Sequence, residues 1–287
     1  MDPPSLSLFM QASDRRLSLD TKTLIMGVLN VTPDSFSDGG RYNDPFLALD
    51  HAQHMVDEGA DIIDVGGEST RPGAQPVEAQ EEMQRLQPVL QALGARLTVP
   101  LSIDTRKAAV ARMALDYGAS IVNDVSALQY DADMVSVVKE TRAGVIVMHM
   151  QGLPETMQQN PSYSDIVGET KDFLAKQCSF ACDHGIPREN ILLDPGFGFG
   201  KNVSHNLMLL AHLHELHDLG QPLVVGLSKK FFIGQVLDKP IPDRMMGTAA
   251  AVAVAVMNGA NVIRVHDVEA MADVVKMAGA IRVFQTN

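Results

Sequence analysis

Eight short apolar runs recur along the chain, at residues 24–30, 61–67, 99–105, 121–126, 144–150, 191–198, 222–228 and 261–267, and nearly every one ends in a polar or charged residue. At or near their C-terminal ends stand Asn30, Asp64, Asp104, Asn123, His149, Asp194, Ser228 with Lys230, and Arg264 with His266. Between the runs, residues 45–58, 77–93, 107–117, 132–139, 165–184, 204–219, 242–258 and 269–281 mostly space their apolar positions three and four apart, the helical period. Strands that alternate with helices and present polar residues at one end predict the α/β class. The expected architecture is a (β/α)8 TIM barrel with its active site on the C-terminal face.

The 287 residues fit one such domain, which typically needs about 250. Residues 1–22 read as a short N-terminal extension or hairpin, and 23–287 as the barrel. No linker rich in Pro, Gly or Ser divides the chain. Three connections exceed what barrel closure needs, at residues 31–44, 68–76 and 151–162. Long loops containing Gly and Pro on the catalytic face are commonly lids or binding loops.

Hydrophobic content of 46% is ample for a large core. A net charge of −12 argues against nucleic acid as a partner, because that needs a basic patch or stripe. An anionic substrate would then depend on local cations or a metal. Cys178 and Cys182 stand four apart in a helical segment and fit reduced thiols in a cytoplasmic protein. No basic, apolar leader opens the sequence and no run of about 18 apolar residues suggests a membrane span.

The strand ends hold the candidate chemistry. Asp104, Asn123-Asp124 and Asp194 should face one mouth. Ionised carboxylates only accept hydrogen bonds, whereas an amide both accepts and donates. Such a set suits a flat heterocycle with several N–H donors, although the same residues could instead cap helices or satisfy loop N–H groups. The run Gly196-Phe197-Gly198-Phe199-Gly200-Lys201 lacks the spacing of a phosphate-binding P-loop. Its glycines allow backbone to approach a bound ring, and Phe199 is either an aromatic wall or core packing. Lys229 and Lys230, where a helix begins, are candidates for an anion or carbonyl site. Arg264 and His266 share one side of their strand, and Arg suits a diphosphate or a stacked ring face. Asn30 could hold a hydrated Mg²⁺, an ion that keeps waters and phosphate oxygens and takes few protein ligands. Thr70 and Arg71 could hold the other end of a diphosphate. His51, His54, His205, His212, His214 and His217 read as surface or packing residues.

Several long segments strongly resemble the dihydropteroate synthases of the pterin-binding enzyme family. They are MGVLNVTPDSFSDGG at 26–40, DIIDVGGESTRPGA at 61–74, SIDT at 102–105, NDVS at 123–126, VMHMQG at 147–152, DPGFGFGK at 194–201, GLS at 226–228 and IRVHDV at 263–268. The resemblance implies a transferase of folate biosynthesis. It would join 6-hydroxymethyl-7,8-dihydropterin diphosphate to 4-aminobenzoate, giving dihydropteroate and pyrophosphate with Mg²⁺. Carried over by position, Asp104, Asn123, Asp194 and Lys230 would contact the pterin. Arg264 would stack on it, with Met148 and Gly226 lining the pocket. Asn30, as the metal ligand, with Arg71 and His266 would serve the diphosphate. Thr70, Pro72, Phe199, Ser228 and Phe231 would border the aminobenzoate. The catalytic burden would fall on Lys230, Arg264, His266, Arg71 and Asp104. Diphosphate loss leaves a resonance-stabilised cation, so the protein must stabilise departing charge; closing loops would exclude water.

One position departs from the family pattern. Where the family usually shows Ser-Arg-Lys-Ser, this chain has Ser228-Lys229-Lys230-Phe231. The lost serine would meet the aminobenzoate carboxylate, and one charge-assisted hydrogen bond is worth about 1.5–3 kcal/mol. Weaker aminobenzoate binding, reduced sulfonamide susceptibility or a different acceptor would follow. Two alternatives stand beside the synthase: a pterin-binding methyltransferase barrel, disfavoured by the ESTRPGA loop, and a degenerate paralogue that binds pterin without turnover. The apolar, small-residued stretch 247–257 and the family's habit point to a homodimer through the last helices.

Overall fold

The computed structural model describes residues 9–13, 15–19, 22–32, 45–69, 76–152 and 156–284. Eight parallel strands form one sheet: β3 (Leu24–Asn30), β4 (Ile62–Gly66), β5 (Leu101–Asp104), β6 (Ile121–Asp124), β7 (Gly144–Met148), β8 (Ile191–Asp194), β9 (Val224–Gly226) and β10 (Val262–Val265). The hydrogen-bonded order is β8-β7-β6-β5-β4-β3-β10-β9. A parallel bridge between Leu193 and Leu223 joins the two ends, with Leu193 N–H donating to Pro222 O at 2.9 Å. The sheet is therefore a closed barrel, and each predicted strand lies within its apolar run.

Side chains alternate across a strand, and in this barrel the two faces form separate cores. Leu24, Met26, Ile62, Ile121, Ile146, Leu192, Val224 and Val262 cluster inside the barrel near its N-terminal end. Their neighbours in sequence, such as Ile25, Ile63, Val122, Val145, Ile191, Val225 and Ile263, pack outward on the helices. The same alternation carried two residues further puts Asp64, Asp104, Asn123, Met148, Asp194, Gly226 and Arg264 inside at the C-terminal end. Gly27 shows how tightly the outer layer sits: a Cβ there would lie 2.9 Å from Met55 Sδ.

The outer layer comprises α1 (Pro45–Asp57), α2 (Ala79–Gly94), α3 (Ala108–Asp116), α4 (Met134–Thr141), α5 (Ile166–Asp183), α6 (Val203–Ala211), α7 (Phe231–Leu237), α8 (Met245–Met257) and α9 (Val268–Arg282). Two expectations need correction. The helix expected over 204–219 is α6 followed by a separate 3₁₀ segment, Leu213–Leu219. The helix expected over 242–258 starts as a 3₁₀ turn, Ile241–Arg244, before α8. Both helix types repeat their apolar residues at about three positions, so the pattern does not separate them. The short α7 goes beyond the eight predicted helices.

The N-terminal segment is a hairpin of β1 (Phe9–Ala12) and β2 (Arg15–Ser18). Met10, Ala12 and Leu19 join the inner N-terminal cluster, with Leu17 packed against it. Ser13 N–H donates to Arg142 O at 2.9 Å, which fixes the hairpin to the loop before β7.

Candidate active site

The register of the barrel strands builds the mouth from adjacent pairs. Asp104 lies beside Asn123, Met148 beside Asp194, and Gly226 beside Arg264. These six residues, with Val125, Gly196, Phe197, Phe199 and Lys230, line one cavity at the C-terminal end of the barrel. Eight of the residues proposed from sequence therefore converge: Asp104, Asn123, Met148, Asp194, Phe199, Gly226, Lys230 and Arg264.

Arg264 is anchored by two carboxylates. Its Nε donates to Asp64 Oδ2 at 2.6 Å and its Nη2 to Asp104 Oδ2 at 2.8 Å. Asn123 Nδ2 donates to the same Asp64 oxygen at 3.1 Å. Asp64 is fully buried in β4 and was not among the proposed site residues. The signal for it was present: a charged side chain inside an apolar run, in phase with the inward positions.

Burial dominates the electrostatics. It pushes Asp104 up to about 7, with Arg264 pulling down and Asp64 pushing up. Burial also raises the Asp194 carboxyl, whose Oδ1 accepts from Gly196 N–H at 2.7 Å. Burial pushes Lys230 down to about 8, helped by Arg264. The Lys230 ammonium lies 4.4 Å from the centre of the Phe199 ring, a cation–π contact. Asp104 Oδ1 is buried with no partner among the described residues. An acceptor left open in this way is poised for a ligand N–H.

The rim is organised differently. Ser228 Oγ lies 3.0 Å from His266 Nδ1 and accepts from the His266 backbone N–H at 3.4 Å. A hydroxyl that already accepts can donate its own proton to Nδ1, which leaves Nε2 protonated. Desolvation, then Arg264, Lys229 and Lys230, lower His266 to about 4; near neutral pH it is a neutral N–H donor. Lys229 does not join Lys230 as a free cation. It bonds Asp267 at 2.9 Å. Phe231 opens α7 and is 52% exposed, outside the cavity lining. Asn30 stands at the end of β3, level with Gly66. Thr70, Arg71 and Pro72, and most of the first long loop, lie outside the described residues.

Some polar strand ends serve the fold instead. Asp124 accepts from the Ser126 and Leu128 N–H groups at 2.8 and 2.9 Å, the loop-satisfying role foreseen as one option. His205 completes the N-terminal capping box of α6. Cys178 and Cys182 are free thiols.

Known proteins resemble this chain along nearly its whole length. The family model described as "Pterin binding enzyme" matches residues 26–266. The dihydropteroate synthase of Synechocystis sp. is 48% identical over 261 residues, 91% of this chain and 90% of that protein. That of Escherichia coli is 46% identical over 275 residues, 96% of each. Among solved structures, the Yersinia pestis dihydropteroate synthase in a sulfonamide drug complex superposes with a TM-score of 0.91 at 45% identity, covering 96% of this chain and 99% of that one. The Xanthomonas albilineans enzyme with 4-aminobenzoic acid gives 0.89 at 42% identity, covering 96% and 98%.

Proposed function

The chain belongs to the pterin-binding enzyme family, and from that premise we propose that it acts as a dihydropteroate synthase of folate biosynthesis. It condenses 6-hydroxymethyl-7,8-dihydropterin diphosphate with 4-aminobenzoate. The carrying observation is the convergence of Asp104, Asn123, Asp194, Lys230 and Arg264 on one cavity, together with relatives that are synthases along nearly their whole length. The relatives give a degenerate paralogue no support, and Asp104, Asn123, Asp194, Lys230 and Arg264 line the cavity that the chemistry needs.

The residues divide the work. Asp104 and Asp194 accept from the pterin N–H groups, Asn123 both donates and accepts, and Arg264 offers its guanidinium plane to the ring. Lys230 donates to a ring acceptor. The carbon–oxygen bond to the diphosphate breaks, its electron pair leaving with pyrophosphate, and the resulting methylene cation is delocalised into the pterin. The aminobenzoate nitrogen then forms the carbon–nitrogen bond and releases a proton. No enzyme nucleophile is required. His266 donates Nε2–H to the departing diphosphate, and Arg71 from the second long loop adds charge. Phe199, Ser228, Phe231, Thr70 and Pro72 border the aminobenzoate.

Mg²⁺ belongs to this reading. Among the described residues no three or more His, Cys, Asp or Glu side chains gather as a metal cage. The donor set instead suits an ion held by one amide oxygen, from Asn30, with water and diphosphate oxygens. Bound there, Mg²⁺ would neutralise charge on the leaving group. Asn30→Ala should raise the Mg²⁺ concentration needed for half-maximal activity several-fold, and an unchanged requirement would remove Asn30 from the metal site. A homodimer through the last helices is supported by exposed Val254, Met277, Ile281 and Phe284; light scattering on the purified chain tests it. Among the described residues no helix is long and apolar enough to cross a membrane.

The deciding experiment is pyrophosphate release from the dihydropterin diphosphate with Mg²⁺, with and without 4-aminobenzoate. Release that depends on aminobenzoate, with dihydropteroate formed, is the expected result. Pterin binding with no turnover would overturn the proposal.

A further inference from the structure

Three backbone carbonyls and one ring nitrogen converge on a single buried cation beside the pocket. Lys201 is fully buried. Its Nζ lies 2.9 Å from Gly196 O, 3.2 Å from Phe199 O, 3.4 Å from His149 O and 2.9 Å from His149 Nδ1. An ammonium carries three protons, enough for Gly196, Phe199 and the His149 ring. Burial, then Lys201 itself, pushes His149 down to about 3, so its ring is neutral and Nδ1 can accept. Burial lowers Lys201 to about 7. The neutral amine keeps two donors for the two closer carbonyls and can accept from the other imidazole tautomer, so the junction survives loss of a proton.

The junction joins two strand ends. His149 directly follows β7, which ends in Met148 of the pocket wall. Gly196 and Phe199 belong to the turn after β8, which carries Phe197 and Phe199 into the same wall. The turn has no slack against its neighbour. Gly196 has φ +69° and a Cβ there would collide with the His149 carbonyl. On its outer side, Tyr163 Oη donates to Gly200 O at 2.9 Å, and Gly198 N–H donates to Asn206 Oδ1 at 2.7 Å. Lys201 supplies the inner ties; without them the part-buried Phe199 oxygen loses its lysine donor, and the buried Gly196 oxygen keeps the Phe199 N–H at 3.1 Å.

We propose that Lys201 is a positioning residue for the pterin pocket: it holds the 196–200 turn against the end of β7 and so sets the wall made by Met148, Gly196, Phe197 and Phe199. Lys201 touches no substrate and acts through the aromatic wall, which in turn faces Lys230. The inference rests on the functional reading above.

Lys201→Met keeps an unbranched apolar stem, one atom shorter, and removes every donor. In the full chain, 6-hydroxymethylpterin binding is followed by fluorescence and pyrophosphate binding by calorimetry, beside steady-state kinetics. The expected result is pterin affinity at least tenfold weaker, pyrophosphate affinity within twofold, and kcat/KM for the pterin diphosphate reduced more than tenfold, mainly through KM. Pterin affinity within twofold of the parent overturns the proposal, as does an equal loss of pyrophosphate binding, which would mean collapse of the whole mouth. A parent chain that binds no pterin would defeat the functional reading and this inference with it. If Lys201→Met fails to fold, Lys201→Ala is titrated with ethylammonium; saturable recovery of pterin affinity supports the role and no recovery overturns it.

Discussion

Arg264 reaches past β3 to Asp64, with Nε 2.6 Å from Oδ2. The same carboxylate oxygen receives Asn123, so one buried acid orients both a cation and an amide of the mouth. Asp64 does not line the cavity; it sets the angle at which its two partners meet a ligand.

Asp64→Asn should therefore lower kcat/KM for the pterin substrate by roughly one to two orders of magnitude, since a hydrogen bond to a charged group is worth about 1.5–3 kcal/mol. Steady-state kinetics beside a thermal melt will separate this from unfolding. Kinetics equal to the parent's would deny Asp64 the orienting role.

The pH dependence follows from two groups. Below about 7 Asp104 becomes protonated and loses acceptor strength. Above about 8 Lys230 loses its charge. The ionised acid and the charged lysine coexist in the window between, so kcat/KM should rise through the first value and fall through the second, as free-enzyme groups dictate. Asp104→Asn should erase the acid limb and Lys230→Met the alkaline one. Limbs that persist in both variants would assign them to other groups.

Phe231 is half exposed at the start of α7, so replacing it empties no core cavity. Phe231→Ser should strengthen binding of 4-aminobenzoate and of sulfonamides about tenfold or more, from one regained charge-assisted hydrogen bond, with little change in stability. Inhibition constants for a sulfonamide in the two proteins are the check; identical constants would dismiss the idea.

Lys107 bridges two buried acids, Glu68 Oε2 at 2.6 Å and Glu82 Oε2 at 2.5 Å. Lys107→Met would strand the Glu82 charge in the shell behind β4 and β5, while Glu68 keeps Arg106 Nη2 at 3.3 Å. Removing one partner of a buried pair costs about 3–5 kcal/mol, and urea unfolding should register a loss of that order. A loss under about 1 kcal/mol would show that the acids find other partners or become neutral.

Much of the fold could be read from the chain because a barrel strand advertises itself twice: an apolar run buried on both faces, and a polar residue where the run ends. Asp104, Asn123, Asp194 and Arg264 were visible in that way. Asp64 also stood near the end of its run, but its role appears only when Arg264 and Asn123 reach it across the intervening strands. Lys201 closes the DPGFGFGK run, but its role was not legible there, because its partners are backbone oxygens and the His149 ring brought together by a turn. The junction of α6 with its 3₁₀ continuation was hidden for a simpler reason, the near equality of the two helical periods.

The hairpin of β1 and β2 has a further consequence. It seats Met10 and Leu19 on the inner cluster at the N-terminal end of the barrel and closes that end. Among the described residues the chamber then opens at the C-terminal mouth. Pterin substrate, aminobenzoate, pyrophosphate and dihydropteroate must all pass through it, and a lingering product bars the next arrival. Slow departure at that threshold would show as a burst of dihydropteroate in the first cycle, before the steady rate sets in.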